Sequence, residues 1–336
     1  MKDLINKKVE QALKFHDLDD LVSAEQIYKD ILTLDPSHAE ALHFLGLICY
    51  QRGKYSAAID YIEKAILSEP KLSVAHNSLG LVFSDLRRAD EAVKCFESAL
   101  EINPNLASAH NNLANILREL GKYEESIVHY QLAIDLRPNY AKALNNFGII
   151  LDAIGKSDEA EAKFVHSIKS DSRYAEPHYN LGTSLLRKNR IERAIVSLKK
   201  AVCIDPGHAD AWNNLGNAHQ KCLQFDEAIF CFTRARTQNS DARILECIYS
   251  QEKFDIFEAR LSSLIDKDPK NLSAAAISAF ASHQLNKRDP YPFCSQPLDF
   301  LEIKNCASEF DDFDYFLERL IAQLQKYRMI WEPPGI

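Results

Sequence analysis

Two triplets have the composition of partial metal sites. His38-Ala39-Glu40 and His208-Ala209-Asp210 both read His-x-Asp/Glu, which would supply two of the three ligands of a non-haem iron facial triad. A third group, His76, His110 and His178, shares one slot of a repeating pattern in which Leu144 and Trp212 also stand. Neither set completes a site. Other copies of the triplet carry Leu72, Leu106, Tyr140 or Tyr174 in the histidine position, and an acidic residue just after a loop suits the start of a helix. Packed helices lie about 8–10 Å apart, so histidines on neighbouring helices cannot share a metal at bonds of about 2 Å. These histidines are expected at the edge of a core. No phosphate-cradling glycine loop and no nucleophile elbow occurs. Asn271-Leu272-Ser273 fits the glycosylation pattern but follows no secretion signal. No catalytic residue, metal site or cofactor is therefore expected in this chain.

The thiols and the charge bound the remaining classes. Cys49, Cys95, Cys203, Cys222, Cys231, Cys247, Cys294 and Cys306 are irregularly spaced, and none forms a Cys-x-x-Cys pair. They are expected to be buried free thiols of a reducing compartment. With 40 basic against 48 acidic residues the chain carries −8, which argues against a nucleic-acid groove and against an anionic membrane surface. The charged N-terminus MKDLINKKVEQALKFHDLDD has no apolar signal core. No run reaches the roughly 18 apolar residues of a membrane span. The expected location is the cytoplasm.

The elements that position these residues follow from three rulers of one period. Pro36, Pro70, Pro104 and Pro138 stand 34 residues apart, then Ser172, then Pro206. Gly46, Gly80, Gly148, Gly182 and Gly216 keep the same period, with Ala114 in the gap. Ala24, Ala58, Ala92, Ala160, Ala194 and Ala228 form the third, with Ser126 the exception. A fixed period of this length is the signature of a stack of one small unit. In residues 107–140, Leu113, Ile116 and Leu117 mark one helical face. Gly121 offers the left-handed conformation of a helix end. A second helix carries Ile127, Tyr130, Ala133, Ile134 and Leu136, and Pro138 stops it. The small slots let the two backbones approach closely.

Leu-Gly, an aromatic or Leu, Gly-x-Tyr, Glu-Ala, a second aromatic, Ala and Asp-Pro together resemble the tetratricopeptide repeat. Residues 41–70 and 211–240 are close to the family pattern. Seven units are expected, at 5–38, 39–72, 73–106, 107–140, 141–174, 175–208 and 209–242. A degenerate eighth over about 243–274 and a capping helix at 273–285 complete an array spanning 1–285. The resemblance implies an all-α, right-handed superhelical solenoid of stacked helix-turn-helix repeats. It also implies a concave groove lined by the first helix of each unit and a protein or peptide ligand.

Two polar files run along those first helices. One is Ser78, Asn112, Asn146, Asn180 and Asn214; its neighbour is Asn77, Asn111, Asn145 and Asn213, with Tyr179 between. Asn carries donors and acceptors without charge, so a ladder of asparagines can grip backbone amides of an extended peptide. The files resemble the asparagine ladder in the repeat arm of O-linked N-acetylglucosamine transferases. The same residues could instead cap helices or bond one repeat to the next. Chaperone-binding members hold a carboxylate with a basic clamp; here Lys142 is the only basic residue at the helix-start positions, so that ligand is not expected.

The period stops after about residue 286. Pro290, Pro292 and Pro297 mark a linker, with a short strand expected at Phe300–Ile303. Phe313, Phe316, Leu317, Leu320, Ile321 and Leu324 form the apolar stripe of an amphipathic helix. Together with Trp331, Glu332, Pro333 and Gly335, this tail resembles the segment that leads into 2-oxoglutarate/Fe(II) oxygenase domains behind bacterial tetratricopeptide arrays. That resemblance implies the recognition part of an enzyme whose iron ligands lie beyond Ile336. Alternatively the helix packs on the last repeat as an elongated cap. A piece of a glycosyltransferase of the O-linked N-acetylglucosamine type and a self-association scaffold are the remaining readings.

Overall fold

The computed structural model describes residues 2–237, 239–268, 271–285 and Pro290. The expected strand at 300–303, the amphipathic helix at 313–324, the stretch at 331–335, Cys294 and Cys306 lie outside the described residues. The chain divides into two compact units, Met1–Gln224 and Phe225–Ile336. Among the described residues every regular element is an α-helix. The architecture is all-α, a solenoid of helical hairpins.

The first unit holds α1 (Lys2–Asp17) and α2 (Leu21–Leu34), α3 (Ala39–Gln51) and α4 (Tyr55–Ser68), α5 (Ser73–Asp85) and α6 (Ala89–Ile102), α7 (Ala107–Glu119) and α8 (Tyr123–Leu136). It continues with α9 (Ala141–Ala153) and α10 (Ser157–Ser170), α11 (Ala175–Arg187) and α12 (Ile191–Ile204), and α13 (Ala209–Lys221). Each second helix packs on the first helix of its own hairpin and on the first helix of the next. Successive first helices from α3 to α13 also touch, so they form one layer.

The glycine ruler has a steric cause. A Cβ at Gly80 or Gly148 would stand 2.5 or 2.6 Å from Cε1 of Phe96 or Phe164. The first-helix backbone therefore rests directly on an aromatic ring of its partner helix. Each hairpin turn contains one residue in the left-handed region. Gly53, Gly121 and Gly155 fill it in three units, at φ of 70°, 75° and 83°. Asp19, Arg87 and Asn189 occupy it in the other three, at 61°, 60° and 54°, and Leu223, after α13, takes 58°. Lys122 N donates to Leu117 O at 2.8 Å and Gly121 N to Arg118 O at 3.0 Å, which satisfies carbonyls at the end of α7.

Burial follows the helical stripe, with one departure. Leu113, Ile116, Leu117, Tyr130, Ala133 and Ile134 are buried, whereas Leu136 is exposed. Leu136 closes α8 beyond the last turn that faces the core.

The second unit holds α14 (Phe225–Ala235), α15 (Ser240–Ser250), α16 (Phe254–Lys267) and α17 (Leu272–Gln284). α15 starts at Ser240, before the 243 expected from the period. α14 stops at Ala235, and Ser240 Oγ accepts from Thr237 N at 2.9 Å in a short turn into α15. The thiols differ from expectation: Cys231 and Cys247 are buried, but Cys49, Cys95 and Cys222 are half-buried and Cys203 is exposed on α12.

Candidate functional site

The histidine triplets are helix caps. His38 Nδ1 accepts from Ala41 N at 3.2 Å and His208 Nδ1 from Ala211 N at 3.3 Å. Each ring thereby satisfies an N–H that the first turn of α3 or α13 leaves open. No cluster of three or more His, Cys, Asp or Glu that could hold a metal occurs among the described residues. The shared histidine slot serves the proline ruler. His76 Nε2 and His110 Nε2 lie 3.1 and 3.0 Å from the carbonyl oxygens of Pro70 and Pro104, and Trp212 Nε1 donates to Pro206 O at 3.0 Å. A ring N–H one turn into the helix thus ties down the preceding loop.

The two polar files are joined into rungs. Asn112 Nδ2 donates to Asn77 Oδ1 at 3.0 Å, and Asn180 Nδ2 to Asn145 Oδ1 at 2.9 Å. His43 Nε2 and Ser78 Oγ pair at 2.9 Å in the same register. Each of these contacts spans 35 residues and links one first helix to the next. Elsewhere the rung shifts by one helical turn. Asn146 Nδ2 donates to Asn115 Oδ1 at 2.9 Å and Asn214 Nδ2 to Thr183 Oγ1 at 3.0 Å, both spanning 31 residues. The slot occupied by Asn115 and Thr183 is apolar, Leu81 and Ile149, where the longer register holds. A polar side chain in that slot captures the incoming amide. Asn115 Oδ1 also accepts from Tyr130 Oη at 2.6 Å. The shift leaves Asn111 Oδ1 buried without a hydrogen-bond partner.

The files differ in exposure. Asn77, Asn111 and Asn145 are only 8, 4 and 2 % exposed. Ser78 is buried as well, against His43. Asn112, Asn146, Asn180, Asn213 and Asn214 are half-buried. Asn111 and Asn145 each donate to the next residue, Asn112 Oδ1 at 3.2 Å and Asn146 Oδ1 at 3.4 Å. The inner amides therefore hold the outer amides in place. Asn115 and Thr183 were not among the residues expected to take part; their signal is a polar residue in a slot that is apolar in neighbouring units.

Electrostatics on this layer is mixed. Burial, with His16 nearby, pushes the His43 imidazole down to about 4, so it pairs with Ser78 as a neutral ring. Burial pushes the Tyr130 hydroxyl up to about 12, which keeps it a donor to Asn115. Toward the helix ends, Tyr50 Oη donates to Asp85 at 2.8 Å, and Arg187 forms an ion pair with Asp152. These contacts again link adjacent first helices.

A layered array of helical hairpins with polar rungs along one layer defines a helical-repeat protein. The tetratricopeptide repeat family matches residues 39–72, 70–137, 105–173 and 209–241, and a further repeat of that kind matches 182–221. These matches together span more than half of the chain, which belongs to the tetratricopeptide repeat family. The APC/C hetero-tetramer Cut9-Hcn1 contains a similar chain, at 17% identity over 81% of this chain and 54% of that one, with a TM-score of 0.58. A tetratricopeptide repeat protein from Parabacteroides merdae is similar at 18% identity over 73% of this chain and 98% of its own, with a TM-score of 0.54. PilF of Pseudomonas aeruginosa is similar at 19% identity over 62% of this chain and 97% of its own, with a TM-score of 0.54. These likenesses show the fold. No curated protein sequence matches the chain. No helix among the described residues is long and apolar enough to cross a membrane.

Proposed function

We propose that this chain is a non-catalytic protein-interaction scaffold that grips an extended peptide along its first-helix layer. Repeat arrays offer extended binding surfaces as a class. The observation that carries the reading is the state of the outer asparagines. Asn112, Asn146, Asn180 and Asn214 are each oriented by a rung, yet remain half-buried. A carboxamide has two N–H donors and an oxygen with two lone pairs. The rung uses one N–H. For Asn112 and Asn146 the inner amide uses one lone pair. Each of these two then keeps one N–H and one lone pair, the complement of a peptide backbone unit. Pre-orientation reduces the entropy lost on binding. Asn77, Asn111 and Asn145 act as orienting residues; Asn213 adds a contact at the α13 end.

The two roles of the files are thus compatible: one face of the ladder joins repeats and the other receives a ligand. Side-chain amide resonances of the protein, followed by NMR while random extended peptides are added, test this. Shifts at Asn112, Asn146, Asn180 and Asn214 are expected. Shifts confined to other surfaces contradict it.

A second reading is favoured by Trp331, Glu332, Pro333 and Gly335. The array would then select substrate for a 2-oxoglutarate/Fe(II) oxygenase domain encoded after Ile336. The reading frame in the source DNA tests it: a following His-x-Asp/Glu…His…Arg pattern supports the reading, and its absence ends it. The tail residues favour this reading over the glycosyltransferase alternative, which rests on the asparagine files alone.

A further inference from the structure

We propose, building on the peptide-gripping reading, that Arg118 pairs with an acidic side chain at one fixed position of the bound peptide. Adjacent first helices share a recurring polar contact near their C-terminal ends. Tyr50 Oη donates to Asp85, 35 residues further on. Asp152 pairs with Arg187 at the same spacing. The same step from Arg118 reaches Ala153, the last residue of α9, which offers no polar side chain. The slot that holds a carboxylate opposite Tyr50 is thus vacant opposite Arg118.

Arg118 is half-buried, and its Nε is buried without a hydrogen-bond partner. Its guanidinium stands beside the Tyr130 hydroxyl, which itself donates to Asn115. Asp152 on the next first helix is already engaged by Arg187, Ser157 and Ser184. Among the described residues no carboxylate forms an ion pair with Arg118. Ala153 is exposed, so the vacant slot is open to a ligand. Asn111, Asn115 and Arg118 stand at i, i+4 and i+7 of α7, on one face of the helix. A carboxylate that reaches Arg118 therefore belongs to the chain held by the Asn112 and Asn146 amides. The amides are neutral, whereas a guanidinium is always charged and its planar fork matches a carboxylate. One acidic residue sets the register, and the other rungs stay indifferent to side chains. Scrambles that leave the acidic residue in place keep their binding.

The test uses the full chain and random peptides immobilised through their N-termini, with amidated C-termini so that only side chains carry carboxylates. The peptides retained are expected to share an Asp or Glu. Changing that residue to Asn or Gln should weaken binding at least about fivefold. With Arg118→Gln the ratio between the acidic and the amide peptide should fall to about one. Ala153→Asp places in α9 the carboxylate that Asp85 supplies in α5, and by pairing with Arg118 it should also remove the preference. An equal loss of both peptides in Arg118→Gln would make Arg118 a purely structural residue and overturn the proposal. Peptide binding without preference for an acid also overturns it, while the ladder reading stands. A preference for a free C-terminus in place of an internal acid has the same consequence. Retention of no peptide at all would sink both readings together.

Discussion

Ser126 Oγ donates to the carbonyl oxygen of Ala114 at 2.7 Å. These are the two residues that break the small-residue rulers, and they break them in the same hairpin. Ala114 stands where other units have glycine, and Ser126 where others have alanine. Both are fully buried. Ser126→Ala, which restores the ruler, should therefore cost stability, about 1 kcal/mol for one net hydrogen bond. Urea unfolding checks this; a neutral or stabilising result contradicts it.

Leu223 takes φ of 58° in the turn after α13 and is 74 % exposed. Its side chain gains little from packing, while the left-handed backbone costs a non-glycine residue roughly 1–2 kcal/mol. Leu223→Gly should raise stability by about 1 kcal/mol, less the added freedom of the unfolded chain. Thermal unfolding measures it, and a lower Tm refutes the strain account.

Removing one rung should cost more where its acceptor has no second donor. Asn180→Ala leaves Asn145 Oδ1 without its rung donor on a residue only 2 % exposed, a loss of about 1–3 kcal/mol. Asn146→Ala leaves Asn115 Oδ1 still bonded to Tyr130 and removes besides only the long 3.4 Å contact from Asn145 Nδ2, so the expected loss is smaller. Paired denaturation curves decide this, and equal losses would argue against the register.

His43 adds an acid-sensitive term. Its folded-state imidazole titrates at about 4, against 6.5 without burial. Below pH 6.5 the unfolded chain binds a proton that the folded chain refuses until about pH 4. Stability is thus unaffected above that window, falls as pH drops through it, and levels off below, for a loss of about 3 kcal/mol. His43→Asn removes the term. The stability difference between the two proteins, followed from pH 7 to about pH 4, should change through the window; a constant difference contradicts the buried-neutral assignment.

Hairpin boundaries from α3 to α13 were legible because three slots each answer a steric demand: the ring against Gly80, the left-handed turn at Gly121 and the stop at Pro138. The period failed at α15, where α14 is short and no glycine marks the next unit. Within the site, the files were visible but their difference was not. Asn111 and Asn112 are adjacent and chemically identical, and only packing buries the first. The rung register was also hidden, since it depends on whether the slot of Asn115 or Ile149 is polar.

The central claim is that outer asparagines hold a peptide by its backbone. Peptides selected from an immobilised random array are compared with analogues N-methylated at alternate residues and with side-chain scrambles. Methylation removes backbone N–H donors without altering side chains. Loss of binding on methylation, with scrambles tolerated, is the predicted result. Retained binding on methylation, with scrambles rejected, would mean that the groove reads side chains and that the ladder only joins repeats.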